Sequence, residues 1–248
     1  MSQTWIKLSN GDNGPLTIFC FPYAGGTAQV FLGFAPLFPV NVNVYALELP
    51  GRGRRFCDDL LGSIDEMVAE ASRDIQSLMK NNTEIVFFGH SLGGLLAFET
   101  ARELRRKGQP LPRNMFISAV RAPHLPHADE TVHDLPYDAF VKKIIELDGT
   151  PEEILANKEM LELMVPILQK DFQAYETYKY KFDDPLQCPI TVLGGAHDRV
   201  VKPEHLEKWD QHTSAAFTSH LFDGGHFFLH SYTREITDMI IRTIMLKR

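Results

Sequence analysis

The sequence predicts an α/β protein with a mostly parallel central sheet, helices on both faces and a helical insertion. Three observations predict it. Short apolar runs rich in β-branched and aromatic residues alternate with stretches of helical periodicity, the rhythm of parallel strands joined by crossover helices. One such run, Ile85-Val86-Phe87-Phe88, leads through Gly89-His90-Ser91-Leu92-Gly93-Gly94 into a helical pattern carried by Leu92, Leu95, Leu96, Ala101 and Leu104. Residues 121–185 then break the alternation with helical patterns alone.

Composition sets the bounds. The chain has 248 residues, which suits one α/β domain over 1–248 with an insertion at about 121–185. Hydrophobic residues make up 44%, enough to fill a core and to exclude a disordered chain. The formal charge of −7 argues against nucleic acid as a partner. Three cysteines, Cys20, Cys57 and Cys188, form no disulfide framework and suit a reducing compartment. Met1-Ser2-Gln3-Thr4-Trp5 lacks the layout of a signal peptide, and no apolar run approaches a membrane span of about 18 residues. A cytoplasmic, monomeric protein is expected.

Taken in order, Trp5 to Leu8 reads as a short edge strand, and Asn10 to Pro15 as a turn. Leu16 to Phe21 is a strand that runs into Pro22-Tyr23-Ala24-Gly25-Gly26, where glycines let the backbone come close to a ligand. Val42 to Leu47 is the next strand, followed by Glu48-Leu49-Pro50-Gly51-Arg52-Gly53-Arg54-Arg55. That loop falls at the carboxyl edge of the sheet, where open α/β sheets bind ligands. Ser63-Ile64-Asp65-Glu66 fits a capping box, and Ile64, Met67, Val68, Ala71, Ile75 and Leu78 follow on one helical face up to Asn81-Asn82. Arg102, Arg105, Arg106 and Lys107 before Gly108 suit a helix C-terminus. Asn114 to Val120 is the next strand.

Within the insertion, Pro136 to Leu147 is helical, and Thr150-Pro151-Glu152-Glu153 starts a second helix. A third stretch carries Met160 to Met164 and should kink or end at Pro166, with Phe172, Tyr175 and Tyr178 continuing at spacing three. Met, Leu and aromatic side chains here can wall an apolar pocket, so the insertion reads as a lid. Cys188-Pro189-Ile190 to Leu193 is a strand ending in Gly194-Gly195-Ala196-His197-Asp198. Phe217 to Phe222 is another, followed by Asp223-Gly224-Gly225-His226-Phe227-Phe228. Ile236, Met239, Ile240 and Ile244 mark a closing helix.

A serine on the turn of a strand–turn–helix unit, flanked by small residues, resembles the nucleophile elbow of the α/β-hydrolases. A serine hydroxyl attacks only when a base takes its proton, and the base needs a third group to hold its tautomer. Ser91, Asp198 and His226 each follow a strand, on one sheet edge, in the chain order of that fold. Of ten histidines, His226 alone combines that order with a strand-end loop and two adjoining glycines. Asp223 is the competing acid, but it shares a loop with His226. In such folds the N–H after the nucleophile, here Leu92, and one from the loop after the early strand form the oxyanion hole. Ala24 is the candidate for the second donor, with Tyr23 as rival. Neither C-x-x-C pairs nor H-E-x-x-H occurs, and no strand leads into G-x-G-x-x-G, so neither a catalytic metal nor a nucleotide is expected.

Together, Phe21-Pro22-Tyr23-Ala24-Gly25-Gly26, Leu49-Pro50-Gly51-Arg52-Gly53, Gly89-His90-Ser91-Leu92-Gly93-Gly94, the Asp198 loop and Asp223 to Phe228 resemble the type II thioesterases of nonribosomal peptide and polyketide synthesis. The likeness spans nearly the whole chain. It implies hydrolysis of stalled or misprimed acyl groups from the phosphopantetheine arm of an acyl- or peptidyl-carrier protein, met transiently. No cofactor is implied beyond the arm that the substrate carries. The acid also fits this group: Arg121-Ala122-Pro123 follows the strand where many product-releasing thioesterase domains carry theirs, and Asp198 comes one strand later. Such carriers are usually acidic, so Arg52, Arg54 and Arg55 become candidates for docking them. Three alternatives use the same sequence: a medium-chain fatty acyl thioesterase, a small-molecule carboxylesterase, and a binding protein of this fold without catalysis.

Overall fold

The computed structural model of the chain describes residues 3–9, 14–79, 84–126, 131–146 and 158–245. The expected turn at 10–13, the helix end at 81–82 and the helix start at 150–153 lie outside these residues. Among the described residues a seven-stranded sheet is built from β1 (Trp5–Lys7), β2 (Leu16–Phe21), β3 (Val42–Leu47), β4 (Glu84–His90), β5 (Asn114–Ser118), β6 (Ile190–Gly195) and β7 (Phe217–Phe222). Their order across the sheet is β1-β3-β2-β4-β5-β6-β7. The edge strand β1 runs antiparallel to β3, and every other pairing is parallel.

Burial on both faces explains the near-continuous apolar strands. Phe19, Phe21, Ile85 and Phe87 point to a core shared with α1 (Ile64–Leu78) and α2 (Leu92–Arg106). Ile18, Cys20, Val86 and Phe88 point the other way, to a core closed by Phe31, Phe34 and the C-terminal helix through Ile236, Ile240 and Ile244. The α1 start is capped as its sequence predicts. Ser63 accepts from the Glu66 N–H, while the Glu66 carboxylate reaches back to the Gly62 N–H.

The sheet order places the site. From β2 the chain steps to β3 on one side, and β4 then pairs with β2 on the other. The carboxyl ends of β2 and β4 therefore flank a topological switch point, where α/β sheets open a crevice. The Tyr23–Gly26 loop and Ser91 both emerge there.

Between β5 and β6 the described residues hold α3 (Tyr137–Glu146) and α4 (Lys158–Glu176) and no strand. These helices share a small apolar core of Val132, Phe140, Ile144, Val165 and Leu168, with Ala24 packed against it. One expectation is narrowed and one corrected. Of the kink or end expected at Pro166, the end does not occur: α4 runs through it with Val165, Ile167 and Leu168 buried and Pro166 itself exposed. Strand β5 stops at Ser118, two residues early, because Ala119 takes φ +51° and turns the chain out of the sheet. After β6 come α5 (Pro203–Glu207) and, after β7, α6 (Phe228–Ser231) and α7 (Thr233–Met245).

Candidate active site

The sharp turn after β4 sets the site's geometry. Ser91 has φ +53° and ψ −123°, a conformation that L residues rarely take and that costs about 1–3 kcal/mol. Glycine is required two residues to either side of it. A Cβ on Gly89 would stand 2.1 Å from the Gly93 carbonyl oxygen, and one on Gly93 would stand 2.0 Å from that of Phe21. The Ser91 N–H is held by the Ser118 carbonyl at 2.7 Å.

The strand-end loops bring Ser91, His226 and Asp198 into one chain of hydrogen bonds. His226 Nε2 lies 3.0 Å from Ser91 Oγ, and Nδ1 lies 2.7 Å from Asp198 Oδ2. A carboxylate only accepts, so Nδ1 carries the proton and Nε2 is left to accept from the serine hydroxyl. The second Asp198 oxygen accepts the N–H groups of Val200 and Val201 at 2.8 and 3.0 Å. Burial pushes the Asp198 carboxyl up, but the hydrogen bond and charge of His226 and these two N–H groups outweigh it and hold it below the usual carboxylate range. Asp223, the rival acid, is 83% exposed and pairs with His197 instead at 2.8 Å.

His90 packs against the His226 ring with centroids 5.5 Å apart, and its Nδ1 lies 2.8 Å from Ser118 Oγ. Complete burial, helped by the nearby His226 and His230, pushes its pKa well down, so it stays neutral.

Ser91 and His226 open into an apolar cavity of about 120 Å³, walled by Ala24, Leu92, Ile144, Leu168, Phe172 and Val201. In the loop after β2, the Gly25 N–H is taken by Asp171 and the Gly26 N–H by the Tyr23 carbonyl. The N–H groups of Tyr23, Ala24 and Leu92 have no hydrogen-bond partner among the described residues. Tyr23, Ala24 and Leu92 all line the cavity with Ser91, so Leu92 and either Ala24 or its rival Tyr23 can offer the two donors. Such an array can support acyl transfer: an activated hydroxyl, a proton acceptor, and N–H groups for a developing oxyanion. Among the described residues no group of three or more His, Cys, Asp or Glu could hold a metal ion.

The arginine loop differs from expectation. Arg52 is only 2% exposed and makes a bidentate ion pair with Asp171 at 2.6 and 2.8 Å. It belongs to the interior and is withdrawn from any docking surface. The Arg55 side chain is 10% exposed and is tied to Glu70 and Asp58. Arg54 alone is exposed, with no ion pair among the described residues.

The thioesterase domain model matches residues 16–245. The chain belongs to the thioesterase family. This thioesterase is 36% identical over 246 residues to the gramicidin S biosynthesis protein GrsT of Aneurinibacillus migulanus, covering 99% of its own length and 95% of GrsT. RedJ, a thioesterase from the prodiginine pathway of Streptomyces coelicolor, shares 33% identity at a TM-score of 0.86, over 92% of this chain and 89% of RedJ. BorB, a type II thioesterase from the borrelidin cluster, shares 31% at 0.88, over 96% of each chain. The resemblance to type II thioesterases and the α/β-hydrolase fold are both borne out. No helix among the described residues is long and apolar enough to cross a membrane.

Sequence reasoning missed Asp171. A signal existed: it sits on the buried stripe of α4, with Leu161, Val165, Leu168 and Ala174.

The lowered carboxyl of Asp198 makes a pH prediction. An acid whose folded pKa is depressed contributes stability above its unfolded pKa, about 3.9, and that contribution is lost as pH falls through the folded value. Asp198→Asn should therefore lower the urea midpoint at neutral pH, and the gap from wild type should shrink as the solution is acidified below about 4. A gap that stays constant into acid would show that the carboxyl is not held low.

Proposed function

We propose that this thioesterase hydrolyses short acyl groups from the phosphopantetheine arm of a carrier protein, through an acyl-Ser91 intermediate. The observation that carries this is the hydrogen-bonded run from Asp198 through His226 to Ser91, opening into a small apolar cavity. GrsT is named for gramicidin S biosynthesis and BorB as a type II thioesterase, which supports a carrier-bound substrate.

His226 takes the Ser91 proton as Oγ attacks the thioester carbonyl. Asp198 holds the imidazole in the required tautomer and stabilises the imidazolium that forms. The carbonyl oxygen becomes an oxyanion between the N–H groups of Leu92 and Ala24, each such donor being worth roughly 2.7–4 kcal/mol. The pantetheine thiol leaves with a proton from His226. Water then enters, His226 takes its proton, and attack on the acyl-serine releases the acid as His226 returns the proton to Ser91 Oγ. No cofactor takes part. The helices of the insertion act as a lid that roofs the acyl cavity.

Cavity size selects the acyl group. About 120 Å³ is less than the roughly 150 Å³ of a cavity that holds benzene, so a chain of a few carbons fills it. This favours the carrier-editing reading over a medium-chain thioesterase. Docking of the carrier draws on Arg54, the exposed and unpaired cation of its loop.

The first test is the triad. Ser91→Ala should lose about 10⁶ in kcat and Asp198→Asn about 10⁴, as in other serine hydrolases, while Asp223→Asn stays near wild type. A folded Ser91→Ala enzyme that still turns over, or an Asp223 effect larger than that of Asp198, would sink the mechanism. The second is a panel of acyl groups loaded on one carrier. Acetyl to butyryl should give the highest kcat/KM, and a preference for octanoyl would return the medium-chain alternative. The third compares Arg54→Glu on loaded carrier and on a small acyl thioester. The carrier reaction should suffer more, and equal losses would remove Arg54 from docking.

A further inference from the structure

The carboxylate of Asp171 joins three separate parts of the chain. It lies on α4, is fully buried, and borders the acyl cavity. Arg52, from the loop after β3, grips it with two hydrogen bonds of 2.6 and 2.8 Å. The Gly25 N–H, from the loop after β2, donates to the same Oδ2 at 2.7 Å. Gly25 has φ +75°, and a Cβ there would stand 2.7 Å from Leu168 Cδ2, one helical turn before Asp171. Helix α4 thus both presses on Gly25 and holds its N–H.

A purely stabilising ion pair explains this arrangement poorly. Burying two charges repays their desolvation only when the remaining donors and acceptors are met. Here Arg52 Nε is buried with no partner. The pair does, however, fix one object well. The Gly25 N–H is bonded to Asp171, and the Gly26 N–H to the Tyr23 carbonyl, which shares its peptide with the Ala24 N–H; the peptides on both sides of Ala24 are thus held, and Ala24 lines the cavity with Ser91.

We propose that Asp171, oriented by Arg52, is a positioning residue for hydrolysis: it sets the oxyanion donor of Ala24 by holding the Gly25 N–H. This rests on the reading of Ala24 and Leu92 as oxyanion donors given above. Arg52 aims the carboxylate so that Oδ2, which accepts from Arg52 Nη1, also lies in line with the Gly25 N–H. Neither residue touches the reacting atoms.

The test uses the full chain and a butyryl thioester of N-acetylcysteamine. Asp171→Asn leaves Arg52 buried and unpaired, which by itself can unfold the chain, so Arg52→Met/Asp171→Leu is made beside it. Replacing a buried pair by apolar residues is often neutral for stability, and the double variant therefore separates folding from positioning. In it the Gly25 N–H still lacks its acceptor. Its kcat should fall about 10- to 100-fold, less than or equal to the loss of a whole oxyanion donor, with KM little changed. Affinity for a butyryl trifluoromethyl ketone, which adds to the serine and forms an oxyanion, should fall by a similar factor. Affinity for the unreactive butyl thioether should hold. Asp171→Glu, which restores a carboxylate, should recover part of kcat over Asp171→Asn. Wild-type kcat in the folded double variant, or equal losses of ketone and thioether affinity, overturns the proposal. Ser91→Ala in the same assay keeps the two readings apart. Hydrolysis that survives it overturns the site itself, whereas a dead Ser91→Ala with unimpaired Asp171 variants overturns only the positioning role.

Discussion

Ser91 is held at φ +53° between two glycines whose missing side chains let three backbone segments touch. The end of β4 meets the first turn of α2 at Gly89 and Gly93, and that turn meets the end of β2 at Phe21. This contact decides where the site can be. It brings the loop after β2 beside the nucleophile, with β2 and β4 as neighbours at the switch point. Strain of this kind persists only where surrounding structure over-determines it. Here the Ser91 N–H is bonded to Ser118, and Leu92, Leu95 and Leu96 are buried behind it in the core under the sheet.

Direction in the hydrogen-bond chain follows from one group that can only accept. Because Asp198 is a carboxylate, the proton on His226 sits at Nδ1, and Nε2 is free for the serine. The two backbone N–H groups on the other Asp198 oxygen keep it from turning away. His90 lies against the same imidazole, and a charged His90 would oppose the imidazolium formed during reaction. Its burial keeps it neutral, which removes that conflict.

Much of this was legible in the sequence, and the reasons are local. β2, β3 and β7 begin and end where their apolar or alternating patterns do, because turn chemistry bounds each of them. Ser91, Asp198 and His226 could be found because each lies just past a strand, and parallel strands bring their carboxyl ends together. Arg52 could not be read correctly. Its loop has the composition of an exposed turn, and its partner Asp171 is 119 residues away on an insertion whose path the sequence does not dictate. The sequence left a kink or an end open at Pro166 for a related reason. Propensity counts against proline in a helix, but burial of Val165, Ile167 and Leu168 on α4 outweighs it.

The acyl cavity and the loop after β2 share a wall, and this ties substrate size to chemistry. Leu168 lines the cavity and also packs on Gly25, and Asp171, one turn along, bonds the Gly25 N–H. Ala24 packs against the insertion's own apolar core. An acyl chain that pressed on α4 would press on the helix that contacts Gly25 and holds its N–H. An oversized chain would then strain the donors at the moment when charge develops on the carbonyl oxygen. Discrimination placed in the transition state acts on kcat, whereas a cavity walled off from the catalytic loop would reject such chains through KM alone. Here the helix that lines the cavity is also the one that holds the loop after β2.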